Sequence, residues 1–212
     1  MFVNGAQQIP TRSTTLWGGL GIALAGFLSM AVALNYSLLN DLSFILSSAF
    51  SLVSALILML AVLILAFSIR HETGIAGASK SGKVALVVFG ICTVGKDALN
   101  LFSSTMTSDV VRVQSDVSFA LSVAALVSLV VAAISVAKAG VITGPLRWGV
   151  VVFGAWSAIT FALNLDPAGT FLFSSEAYVM MLLLQIALGI GFALYGREQA
   201  LRRRMEVFNQ RW

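Results

Sequence analysis

Residues 42–69 read LSFILSSAFSLVSALILMLAVLILAFSI, a run with no charged residue, bounded by Asp41 and Arg70. At about 1.5 Å of rise per residue, a helix of this length exceeds the ~30 Å hydrocarbon core of a bilayer. In hydrocarbon every backbone N–H and C=O must find its partner within the protein, and a helix provides those partners inside the segment. The stretch therefore reads as a membrane-spanning helix, and it sets the class for the rest of the chain.

Outward from it, five more apolar runs cover roughly residues 17–39, 84–103, 117–137, 148–164 and 178–195. The breaks between them carry turn formers and charges: Asn40 and Asp41, the stretch 70–83, the stretch 108–116, the stretch 138–147 with Pro145, and the stretch 166–176 with Pro167 and Gly169. The expected fold is all-α: a polytopic integral membrane bundle of six transmembrane helices forming one domain over residues 1–212, with a basic tail at 196–212. Composition points the same way. Of 212 residues, 58% are hydrophobic and 10% charged, and mean hydropathy is +0.95. Soluble domains carry about 25% charged residues, so this chain has too little polar surface to face water. Lipid is its solvent, and membrane lipids are its first expected partners. The apolar run from Leu16 to Leu34 exceeds a signal-peptide core of about 7–15 residues, so the first span is expected to be retained.

Lysine and arginine placement predicts orientation. With the N-terminus inside, the cytoplasmic face takes Arg12, Arg70, Lys80, Lys83, Lys138, Arg147, Arg197, Arg202, Arg203, Arg204 and Arg211, which is 11 of the 13 basic residues. Arg112 alone falls outside and Lys96 falls within a span. Both termini are therefore expected in the cytoplasm of a cell with this protein in its plasma membrane. The net charge of +4 is explained by this topology and does not point to nucleic acid. The tail, with Arg202, Arg203 and Arg204 followed by Met205, Val207, Phe208 and Trp212, is expected to extend the sixth helix along the anionic inner leaflet.

The third span holds the most informative polar group. Thr93, Lys96, Asp97 and Asn100 fall within an arc of about 100° on a helix. Lys96 and Asp97 are the ionisable residues deepest in the apolar runs, with Lys96 about 12 Å below the outer end of its span. A charge at such depth costs about 2.5–3.5 kcal/mol or more, and such residues turn inward. Gln185 and Ser51 lie at a similar depth, while Asn35, Ser122, Thr160 and Asn164 sit nearer the same outer side. These residues predict an outward-facing polar cavity. The ligand-binding candidates are Lys96, Asp97, Asn100, Thr93, Gln185, Asn35 and Asn164. The bland alternative is a self-satisfied polar core in which Lys96 and Asp97 neutralise one another.

Small residues give the packing expectation. Gly21, Ala25, Ser29 and Ala33 recur every four positions in the first span, and Gly189 with Ala193, and Ala187 with Gly191, do so in the sixth. Such stripes let helix backbones approach. Bundle packing is the first use expected of them, and contact with a second copy or with another subunit of a membrane complex is the other. The serines of the second span are expected to bond back to their own helix.

Chemical motifs are lacking. Gly77, Gly82 and Lys83 have the spacing of a phosphate-binding loop, but Val84 stands where Ser or Thr would hold Mg²⁺, and a membrane span precedes the motif in place of a strand. The segment is expected to be a loose cytoplasmic loop. His71 is the only histidine and Cys92 the only cysteine, so no metal or haem set can be drawn. No cofactor and no catalytic residue are expected; an intramembrane enzyme would have only Asp97 as its acid or base.

Asn35-Tyr36-Ser37 near the first outer loop and the stretch from Gly90 to Asp97 resemble a group of small bacterial six-span proteins. The group is called the domain of unknown function numbered nine hundred and ninety-eight. Its members carry Pro two residues before an intramembrane Asp, where this chain has Gly95, and His at the start of the fourth span, where it has Ser115 to Ser118. The resemblance implies a bacterial cytoplasmic membrane protein and brings no activity. The expected function is binding or translocation of a small solute or lipid through the polar cavity. The alternative is a non-catalytic structural or accessory subunit of a larger membrane complex.

Overall fold

The computed structural model describes residues 12–35, 44–68, 74–102, 108–142, 144–163 and 171–209. They form α1 (Arg12–Leu34), α2 (Phe44–Phe67), α3 (Lys80–Phe102), α4 (Ser108–Ala139), α5 (Pro145–Leu163) and α6 (Phe171–Asn209). All six are long and apolar enough to cross a membrane, and no strand occurs among the described residues. The chain is a multi-pass, all-helical membrane bundle. Its outer surface agrees: Phe27, Phe50, Leu60, Ile91, Val127, Ile159, Leu183 and Ile190, drawn from all six helices, are exposed.

Two helices are longer than the apolar runs predict. The stretch 108–116 is helical, with Arg112 and Asp116 exposed. An exposed charge ends an apolar run but not a helix, because the helix continues once it has left the hydrocarbon. In the same way α6 starts at Phe171 and runs on through the basic stretch to Asn209, as expected of the tail.

Local signals set the ends. The Ser79 hydroxyl accepts a bond from the Gly82 N–H at 3.1 Å and caps α3. α4 stops where Gly140 takes φ +63°, the left-handed position after a helix. α5 begins on Pro145, whose missing N–H costs nothing in a first turn.

The helices form a closed ring. Each packs on its neighbours in sequence, and α6 returns to pack on α1, the most extensive contact of all. Glycine explains that seam. A Cβ on Gly19 would lie 2.6 Å from the Gly189 carbonyl oxygen, and one on Gly189 would lie 2.7 Å from the Gly19 carbonyl oxygen. Ala23 and Ala193 complete the crossing, so the two backbones touch directly. The opposite face of α1 serves α2: Gly21 meets Ala61, Ala25 is fully buried, and Ser29 bonds Ser54. The stripe of Gly21, Ala25 and Ser29 is thus used for packing within the chain.

One end of the ring holds the start of α1 and the α2–α3 and α4–α5 connections; it is called proximal here, and the opposite end distal. The proximal half is a solid apolar core built from Leu65, Ala66, Leu86, Ala132, Val136, Val150 and Phe192, among others. Both proximal connections drop side chains into it. Ile75, Ala76 and Ile142 are buried, and the Ile75 N–H donates to the Leu65 carbonyl at 2.9 Å. Of the stretch expected to be a loose loop, Gly77 is buried with Gly74, Ile75 and Ala76 before it, and from Lys80 on it is the first turn of α3. Its glycines have packing roles: Gly77 turns at φ +58°, and Gly82 lies where a Cβ would be 2.7 Å from that of Ser135 in α4. His71 lies outside the described residues.

Candidate functional site

The distal half of the ring is hollow. A cavity of about 480 Å³ is lined by side chains from all six helices. Its floor is the top of the proximal core, where Leu58, Phe89, Leu129 and Phe153 close it off. A site between helices with apolar walls and a few convergent polar groups is the ordinary form of a small-molecule site, and about 300–1,000 Å³ is the usual size.

α3 supplies Thr93, Lys96 and Asp97. Lys96 stands about 9 Å below the end of α3 at Phe102. Among the described residues neither Lys96 nor Asp97 makes an ion pair or a hydrogen bond. The reason is geometric: consecutive residues diverge by about 100° and do not face each other. Tyr178 of α6 stands on the wall of the same cavity.

The remaining polar wall has a common chemistry. Thr93, Ser122, Ser157 and Thr160 each donate their hydroxyl proton to a carbonyl four residues back, at 2.8, 2.9, 2.8 and 2.9 Å. With the proton committed to their own helix, the oxygens of Thr93, Ser122 and Ser157 remain as acceptors. Ser54 departs from that habit: it donates across to the Ala25 carbonyl at 2.7 Å and meets Ser29 at 2.8 Å, joining α2 to α1. The expectation that span-2 serines bond back to their own helix fails here because the Gly21–Ala61 approach brings an α1 carbonyl within reach. Gln185 is buried, with its amide nitrogen 3.4 Å from the Ile22 carbonyl.

The structure brings Lys96, Asp97, Thr93 and Gln185 to one cavity, together with Ser51, Ser122 and Thr160. Asn100 continues the same arc one turn farther out, where it is exposed and not part of the wall. Asn35 ends α1, half-buried, and does not line the cavity either. Both stand where the ring leaves the cavity behind at its distal end. Asn164 lies outside the described residues.

Sequence reading missed Tyr178, Ser157, Phe119 and Phe161, all wall residues. Signals for two of the helices existed. Tyr178 precedes Gln185 by two helical turns, and Ser157, Thr160 and Phe161 have the spacing of one helix face. Phe119 and Phe161 stack across α4 and α5 with centroids 5.9 Å apart. At the same distal level the Trp156 indole N–H donates to the Ala177 carbonyl at 3.0 Å, and the Gln114 amide to the Leu99 carbonyl at 2.7 Å. These bonds tie α5 to α6 and α4 to α3. Cys92 is buried in the wall, and no cluster of three His, Cys, Asp or Glu side chains occurs among the described residues.

Compared with known proteins, the chain matches no family model, no curated protein and no solved structure.

Proposed function

We propose that this membrane protein binds or moves a small solute or lipid through the distal cavity, with Lys96 and Asp97 setting its charge preference and Gln185 and the wall hydroxyls supplying hydrogen bonds. One observation carries the reading: a cavity of about 480 Å³ walled by six helices holds a cation and a carboxylate that are not paired with each other. Unpaired charge at this depth is expensive, about 2.5–3.5 kcal/mol for each residue. A bundle needing only stability would be better served by apolar side chains of the same volume.

Orientation follows from charge. Lys80, Lys83, Lys138, Arg147 and Arg197 stand at the proximal end and Arg112 at the distal end. Under the positive-inside rule the proximal end faces the cytoplasm and the cavity lies in the outer half of a bacterial cell membrane.

The test is the double substitution K96L/D97L. Mass spectrometry of small molecules extracted from the purified protein should show a stoichiometric species with the native chain and its loss with the double variant, both eluting as one sharp peak. A double variant that is more stable and retains the same species would sink the reading. A second protein co-purifying at fixed stoichiometry, with no small molecule, would favour an accessory subunit.

A further inference from the structure

We infer that the cavity takes a free amino acid with a large apolar side chain, its ammonium at Asp97, its carboxylate at Lys96 and its side chain toward the floor. The inference rests on the cavity reading above and names a ligand class for it.

The charges give the first argument. Among the described residues Lys96 and Asp97 are the charged groups of the cavity wall, one of each sign. A ligand with a single charge would satisfy one of them and leave the other uncompensated away from bulk water. On consecutive helical positions the two side chains do not meet, yet both line the same space. One small molecule carrying an ammonium and an anion meets both. Thr93 sharpens the placement. It lies four residues before Asp97, on the same face and one turn away. Its hydroxyl proton goes to the Phe89 carbonyl at 2.8 Å, so its oxygen is an acceptor beside the carboxylate. An ammonium has protons for both acceptors, and Lys96, which offers donors alone, takes the anion.

The second argument is the order of the wall from its distal to its proximal end. On α3 it passes from Lys96 to Phe89, and on α4 from Ser122 to Leu129, each about 10 Å of helical rise. On α5 Ser157 gives way to Phe153. The polar groups on the other walls are turned toward α1: Gln185 approaches the Ile22 carbonyl and Ser54 donates to that of Ala25. A ligand matching this order has both charges at one end and a compact apolar body at the other. The floor favours a free molecule over a lipid. Acyl chains hung from a head at Lys96 and Asp97 toward the bilayer centre would run into Leu58, Phe89, Leu129 and Phe153, where the proximal core closes the cavity. An amino-acid side chain is short enough to end above them.

The test titrates the delipidated full chain in detergent, at neutral pH in a calorimeter, with leucine, methionine, phenylalanine and tryptophan. At least one should bind one to one. That amino acid should bind at least tenfold more tightly than the amine or the carboxylic acid with the same side chain, each of which lacks one charge. It should exceed glycine, which lacks the apolar body, by a similar factor. In K96Q the amine should overtake the acid, and in D97N the acid should overtake the amine. Equal binding of amino acid, amine and acid would overturn the zwitterion assignment, and glycine binding as tightly would overturn the apolar body. Binding of none of the four would overturn the inference. The species extracted from the native chain reports separately on the cavity itself: a stoichiometric lipid there would overturn the amino-acid assignment and leave the cavity reading standing. The ligand comparisons use the native chain, so they hold even where a variant fails to fold.

Discussion

α6 sits between two neighbours and meets them in opposite ways. On α1 it lies backbone to backbone, Gly189 against Gly19 with Ala193 and Ala23 beside them. On α5 the contact is thinner and made by side chains: the tip of Leu188 lies 3.2 Å from where a Cβ on Gly149 would be, and Trp156 reaches the Ala177 carbonyl. The seam of α5 with α4 is equally thin, and Phe119 and Phe161 stack across it. Where two backbones touch, nothing can yield without separating the helices. Where side-chain tips touch, a rotamer change is enough. The ring is therefore welded along α1–α6 and compliant around α5, and the compliant side borders the cavity.

The sharpest way to break this contrast is one substitution on each side of α6. Gly189→Leu should cost about 3 kcal/mol or more, because overpacking against backbone has no cheap relief. Detergent-solubilised protein should lose its sharp elution peak. Gly149→Ala should cost less than about 1 kcal/mol, since only the end of Leu188 must move. Thermal melts of the two variants check the pair, and similar losses would show that the seams do not differ.

Next in size are the cavity charges. Lys96→Leu alone should destabilise by about 2 kcal/mol, because Lys96 is the one cation that the described residues place in the wall beside Asp97. The double K96L/D97L should be near neutral or stabilising, so the two single effects should fail to add. Additive losses in a double-mutant cycle would mean that the residues do not sense each other.

Phe119→Ala should cost about 1 kcal/mol, the value of a stacked pair with modest burial. It should also speed hydrogen exchange in the distal turns of α5 relative to α1, and an equal effect on both helices would count against a soft α5. Gln185→Leu should be smallest, within about 1 kcal/mol, because its bond to the Ile22 carbonyl is long. A larger loss on melting would show that Gln185 stitches α6 to α1.

The sequence discloses the helices because lipid imposes one rule along a whole span, and an uncharged run such as 42–69 obeys it without ambiguity. Inward-facing residues of α3 were readable for the same reason, since Lys96 and Asp97 have no tolerable alternative. Choices between equivalent faces were not readable. α1 carries two small-residue rows, Gly19 with Ala23 and Gly21 with Ala25, and only the arrangement of neighbours shows that the first meets α6 and the second α2. Ile75 and Ile142 sit in connections that look like loops, and nothing local says that they turn into the core. Asn35 and Asn100 share polarity and depth trend with the cavity residues, but the height at which the wall ends is a property of the whole ring.

Closure of the ring by α6 on α1 has a consequence for biogenesis. Five helices enter the membrane before the partner of Gly19 and Ala23 exists, so the glycine face of the first must wait in lipid or be held by an insertion factor. Through that interval Lys96 and Asp97 lack the sixth wall of their enclosure, and a chain stalled before α6 would present two charged side chains to the bilayer.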